Sequence, residues 1–151
     1  MQKKTLRLIL AAILVCAVIC FIFSNSFQNG EASNQRSGLV LALFQRLFDP
    51  HHRIDEETFH YFIRKGAHFS EFALLGASLM LLKKRIRDRF CVSTPGVMLF
   101  AALAVAVTDE FIQSFTGRTS SVKDVLIDFS GALCAILLLT LLGSIYRKWK
   151  G

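Results

Sequence analysis

Residues 95–128 read PGVMLFAALAVAVTDEFIQSFTGRTSSVKDVLID. An apolar run from Pro95 to Val107 ends on Thr108-Asp109-Glu110, turns through a short polar stretch, and restarts as a second apolar segment carrying Asp124 and Asp128. The first part, Pro95–Phe115, has 21 residues. A helix rises about 1.5 Å per residue, so this run matches the roughly 30 Å of hydrocarbon in a bilayer. Two antiparallel membrane helices joined by a tight turn, with their ionisable groups at the turn end, are the simplest structure such a pattern predicts.

Three further segments extend this reading outward. Leu6–Phe23, Gly66–Leu82 and Val122–Ile145 are each long and apolar enough to be read as spans. Hydrophobic residues make up 53% of the 151-residue chain and charged residues 19%, with 14 Phe and 2 Pro. Soluble domains usually carry nearer a quarter charged residues and lack runs of this length. The sequence therefore predicts an all-α, polytopic membrane protein of about four transmembrane helices, forming a single domain over 1–151. Lys3, Lys4 and Arg7 followed by the 16 apolar residues Leu8–Phe23 could suggest a secretory leader. The run is long for a leader core, and an uncleaved first span is expected. Ser24–Ser37 reads as a loop. Ser37–Phe48 is too short to cross, and it fits a short helix in the membrane interface of the first outer loop. Asp55-Glu56-Glu57 places acids where a helix begins. Cys16, Cys20, Cys91 and Cys134 lie in or beside apolar runs, as packing residues.

The formal charge of +7 does not point to nucleic acid, because the basic residues flank the apolar segments. With both termini in the cytoplasm, 11 of the 18 Lys and Arg fall inside, including the dense run KKRIRDR at 83–89. The other seven, Arg36, Arg46, Arg53, Arg64, Lys65, Arg118 and Lys123, spread over longer outer stretches. The positive-inside rule then gives cytoplasmic N- and C-termini in the plasma membrane.

That topology sets the depth of each polar residue. Lys65, His68 and Glu71 lie in the outer turns of the second span, and Asp109, Glu110 and Gln113 near the outer end of the third. Asp124 and Asp128 open the fourth, and Arg118 sits in the turn before it. At about 100° per residue, each group falls within one face of its helix. Gly131 and Ala135 continue the Asp124–Asp128 face, while Ala73/Ala77 and Ala102/Ala106 repeat the spacing that lets membrane helices approach closely. A charge deep in a span costs on the order of 2.5–3.5 kcal/mol. Five carboxylates at one level need partners, and Lys65, His68, Arg118 and Lys123 lie at matching depth. Two readings follow: a network that fixes helix register, and an outward-facing polar pocket formed by Lys65, His68, Glu71, Asp109, Glu110, Gln113, Arg118, Asp124 and Asp128. No metal and no cofactor are expected. His51-His52 beside Asp49 reads as solvated loop, and no phosphate-binding loop, paired-His metalloprotease helix or nucleophile elbow is present.

At these residues the chain resembles the VanZ-like family of small integral membrane proteins. Phe23-Ser24-Asn25-Ser26 with its polar linker forms one matching block. Arg64-Lys65-Gly66-Ala67-His68-Phe69-Ser70-Glu71-Phe72 is similar to the family's Lys-x-x-His-Phe-x-Glu-aromatic motif. Thr108–Arg118, followed by Asp124 and Gly131, is similar to its Asp-Glu-x-x-Gln…Gly-Arg…Asp pattern. Asp128 stands where the family often has Asn, and Phe72 where Tyr is more usual. The resemblance implies a role at the cell envelope, where the family's namesake is associated with reduced susceptibility to teicoplanin-type glycopeptides.

The leading expectation is recognition of a membrane lipid, a lipid-linked envelope precursor or another amphiphile. Arg118, Lys65 and Lys123 would bind phosphate or carboxylate. The alternative is an intramembrane enzyme acting on such a lipid through His68 and the acids. A proton-coupled transporter fits less well, because the inner halves of the last three spans lack polar residues. A second copy of the chain is a further candidate partner, and nucleic acid is not.

Overall fold

The computed structural model describes residues 2–27, 55–90, 95–116 and 120–150. They form four helices and no strands: α1 (Gln2–Ser26), α2 (Glu56–Phe90), α3 (Pro95–Phe115) and α4 (Val122–Lys150). α1, α3 and α4 are long and apolar enough to cross a membrane. α2 is not among those three. The sequence reading counted four spans, and length and apolarity support three. Over its 35 residues α2 carries seven acidic, basic or histidine residues before Lys83 and a basic run after Leu82, which dilute its apolar middle. The predicted interfacial segment Ser37–Phe48 and the turn residue Arg118 lie outside the described residues.

α2 and α4 each start where a side chain satisfies one of the free N–H groups. Asp55 Oδ1 accepts the Thr58 N–H at 2.9 Å, and the Asp55 carbonyl accepts the Phe59 N–H at 3.0 Å. The hydrogen bond from Thr58 holds the Asp55 carboxyl below its ordinary pKa. At α4, Ser121 Oγ accepts the Lys123 N–H at 3.2 Å, and the Ser121 carbonyl accepts the Asp124 N–H at 2.9 Å. Asp124 in the first turn and Arg147, Lys148 and Lys150 in the last complement the α4 dipole.

The core is assembled from stripes. Along α1 the buried positions are Ala11, Val15, Val18, Ile22 and Ser26. Their spacing of three and four keeps one face inward. On α3 the buried stripe runs Met98, Ala102, Ala106, Asp109 and Gln113. Val15, Val18 and Ile22 pack with Phe72, Leu75 and Leu79 of α2, with the α3 residues, and with Ala132 of α4. Polar residues thus continue the apolar stripes at one end instead of leaving them.

α2 and α4 run parallel and touch backbone to backbone. A Cβ on Gly131 would collide with the Phe69 carbonyl, and one on Gly76 with the Ala132 carbonyl. Glycine is required at both crossings because no side chain fits between the two helices. The sequence reading singled out Ala73/Ala77 as the small-residue pair of this helix. Gly76, one residue away, holds the position.

One boundary differs from the sequence reading. Ser24–Ser37 was read as loop from its polar composition, yet α1 continues through Ser26. The cause is a partner: Ser26 is fully buried and bonded to Asp109. The second span, Gly66–Leu82, lies within a longer helix that starts at the acids 55–57, as their position predicts, and runs on to Phe90.

Candidate functional site

All four helices contribute polar side chains at the end where α1 and α3 finish and α2 and α4 begin. We call this the polar end, and the opposite one, flanked by Lys3, Lys4, Arg7 and the run 83–89, the basic end. Five members of the polar cluster are buried: Ser26 and Asp109 at 0%, Asp128 at 1%, Gln113 at 3% and Glu110 at 4% exposure.

Asp109 occupies the centre of α3's inward stripe. Its Oδ1 accepts from Ser26 Oγ at 2.5 Å, and its Oδ2 from Gln113 Nε2 at 2.7 Å. Gln113 also reaches Ser26 Oγ at 3.5 Å, and Thr116 Oγ1 donates to the Ser26 carbonyl at 3.3 Å. The end of α1 is thereby held to the end of α3 by neutral donors around one carboxyl group. Asn25, the adjacent residue on α1, donates from Nδ2 to Glu71 Oε1 of α2 at 2.9 Å.

The α2–α4 seam carries the opposite-sign pairs. Lys65 Nζ lies 2.6 Å from Asp124 Oδ1, with both side chains 15% exposed. One turn deeper, His68 Nδ1 is 3.8 Å from Asp128 Oδ1. The Gly131–Phe69 approach directly below explains the order, since two backbones in contact bring the flanking side chains of successive turns together. Lys65 Nζ also stands 5.4 Å from the centroid of the Tyr61 ring, within range of a cation–π contact. Glu110 faces the start of α4, where its Oε2 accepts the Ser121 N–H at 3.1 Å.

Of the residues singled out in the sequence, the structure brings together Lys65, His68, Glu71, Asp109, Glu110, Gln113, Asp124 and Asp128. Arg118 lies outside the described residues, and the Lys123 side chain is exposed. Asn25 and Ser26 were missed as members of the cluster. Two signals pointed to them. They belong to the Phe23–Ser26 block of the resemblance, and Ser26 falls four residues after Ile22 on the inward stripe.

Chemically, this end offers a rim and a floor. The Lys65–Asp124 pair and the partly exposed His68 form the rim, and the carboxyl groups of Asp109, Glu110 and Asp128 lie behind it. A model of the VanZ/LLP1 family matches residues 11–143. The chain belongs to that family. The match covers all of α3 and most of α1 and α4, and so takes in every helix that builds the polar end. No curated protein and no solved structure matches the chain. This VanZ/LLP1 protein is a membrane protein, with three apolar helices of spanning length and its ionisable residues gathered at one end of the bundle.

Proposed function

We propose that the polar end faces the outside of the plasma membrane and recognises the charged head of a lipid-linked or amphiphilic envelope ligand. The observation that carries this reading is the Lys65–Asp124 and His68 rim, set over carboxyl groups from α3 and α4 at the level where the helices end. The Lys and Arg asymmetry supports the orientation, with both termini cytoplasmic. Ionisable groups held among membrane helices cost free energy and persist where function uses them. Arg118 would extend the rim toward an anionic head. The family's association with glycopeptide susceptibility makes that susceptibility the natural cellular readout.

Native mass spectrometry of the full chain released from detergent tests the reading directly. The probes are a polyprenyl phosphate, phosphatidylglycerol and phosphatidylcholine. The wild type should retain the two anionic lipids preferentially, and Lys65→Met should lose roughly tenfold of that preference, the size of one charge-assisted hydrogen bond. Equal retention of all three lipids by wild type and variant sinks the proposal. In cells, Glu110→Gln and Arg118→Ala should change susceptibility while the protein still accumulates. Glu110 accepts a backbone N–H from Ser121, and a Gln carbonyl can accept the same bond. Folding is therefore spared.

A second reading has its own observation. His68 lies 3.8 Å from a carboxyl oxygen of Asp128, an arrangement that can carry a proton during turnover of a bound lipid. Product formation lost in His68→Ala, with lipid retention intact, favours it over binding alone. The exposed leucines of α4, Leu137, Leu138, Leu141 and Leu142, face either acyl chains or a second copy of the chain.

A further inference from the structure

We infer that His68, Asp109 and Asp128 form a binding site for a divalent transition-metal ion of the Zn²⁺ or Mn²⁺ type. Each residue comes from a different helix, and each offers one donor atom. The three atoms lie within 4.8 Å of one another.

The separations suit ligands of a common ion better than direct partners. His68 Nδ1 and Asp128 Oδ1 are 3.8 Å apart. A hydrogen bond between nitrogen and oxygen closes to about 2.7–3.2 Å. Two donors on one tetrahedral ion, each about 2.0–2.2 Å from it, sit about 3.4 Å apart. A small side-chain rotation brings all three atoms to that spacing.

A second observation points the same way. Asp128 is 1% exposed, and its Oδ2 has no hydrogen-bond partner among the described residues. A buried carboxylate oxygen without a donor is costly unless something else neutralises it. Asp109 is prepared in the way metal-binding carboxylates usually are. Ser26 and Gln113 each donate to one of its oxygens and fix its orientation. Lys65, on the rim above, is ion-paired with Asp124.

One imidazole and two carboxylates define the class of ion. Imidazole selects against Mg²⁺ and Ca²⁺, and the absence of thiolate from the set selects against soft ions. Three protein ligands would leave a fourth coordination position for water or a phosphate oxygen. The sequence reading expected no metal because it looked for paired histidines. The donors here are separated along the chain and meet only in the bundle. The site stands whether or not the rim recognises a lipid.

The test uses the full-length chain purified without a polyhistidine tag, stripped with chelator and titrated calorimetrically with ZnCl₂ and MnCl₂. The optical spectrum with Co²⁺ reports the coordination. The wild type should take up about one ion per chain, and so should the His51→Ala/His52→Ala double variant, which removes the loop histidines. His68→Ala and Asp128→Asn should weaken binding more than about 100-fold and abolish the Co²⁺ bands, and Ser26→Ala should weaken it about tenfold by freeing Asp109. Melting in chelator verifies that each variant is folded. Should Asp128→Asn fail to fold, the Ser26→Ala affinity decides. No uptake by the wild type overturns the inference. So does uptake that survives in His68→Ala but disappears with His51 and His52.

Discussion

The two ends of this bundle are held together by different physics. At the basic end, charges lie outside the packed faces. Arg85 and Asp88 are 3.8 Å apart on one helix, with side chains 28% and 42% exposed. Between the ends, contact is made by apolar stripes such as Val15, Val18 and Ile22 against Phe72, Leu75 and Leu79. At the polar end the same stripes continue as Ser26, Asp109 and Gln113, buried and directed at named partners. In a bilayer, apolar packing carries little directional preference, because acyl chains compete equally for any leucine. Directed polar pairs do not face that competition. The polar end therefore sets register, and the apolar middle follows it.

The largest effect should come from the seam that joins the two regimes. Gly131→Ala and Gly76→Ala each drive a methyl into the backbone of the facing helix. Overpacking usually costs about 1–3 kcal/mol, and more where backbone cannot yield. Either variant should lower membrane abundance and melting temperature sharply. Gly66→Ala and Gly143→Ala meet nothing within 4 Å, and should be neutral or gain up to about 1 kcal/mol from helix propensity. Thermal unfolding of all four variants in one detergent checks the contrast. Equal behaviour at Gly131 and Gly143 would mean that α2 and α4 do not cross as described.

A smaller effect compares ion pairs. A double-mutant cycle on Lys65→Met and Asp124→Leu should give a coupling of about 1–3 kcal/mol, because both side chains are shielded and 2.6 Å apart. The same cycle on Arg85→Met and Asp88→Leu should give below about 0.5 kcal/mol, as for exposed pairs within one helix. Raising the salt concentration should reduce the second value and leave most of the first. Equal couplings would show that solvent reaches the seam as freely as the basic end, which would erase the distinction between the two.

The spans were legible in the sequence because crossing a bilayer is a local requirement: twenty apolar residues in a row announce it without reference to neighbours. The cluster on α2, α3 and α4 was legible for a related reason. Lys65, His68, Asp109, Asp124 and Asp128 are expensive in hydrocarbon, and depth alone groups them. What escaped were residues whose meaning depends on a partner. Ser26 and Asn25 have the composition of a loop, and only Asp109 and Glu71 make them the last helical turn of α1. Gly76 differs from Ala77 by one position, roughly 100° around the helix. A pattern of small residues cannot reveal which of the two meets Ala132. Depth offered Asp128 four candidate partners, Lys65, His68, Arg118 and Lys123, and only the packing of α2 on α4 sets it against His68.

The smallest effect separates burial from position. Asp55 starts α2 at the polar end, yet it is exposed, and so it tests whether the polar end is distinctive merely because charges gather there. Its carboxyl accepts the Thr58 N–H at 2.9 Å, and hydrogen bonding from the Thr58 side chain and then from that N–H lowers its pKa from an ordinary value of 3.8. A carboxyl whose folded pKa lies below its unfolded one binds fewer protons when folded. Its contribution to stability is complete above the unfolded value and disappears as pH falls through the folded one. Asn caps a helix about as well as Asp but carries no charge for the helix dipole. Wild type should therefore be slightly more stable than Asp55→Asn at neutral pH, and the two should converge as the pH drops below about 3.8. Melting curves of both proteins from neutral pH downward measure the gap. A gap that stays constant into strong acid would mean that the carboxylate charge contributes nothing. A large gap at neutral pH, comparable to the Lys65–Asp124 coupling, would mean that an exposed charge at this end matters as much as a shielded one. The contrast between the two ends would then rest on location, not on exclusion of water.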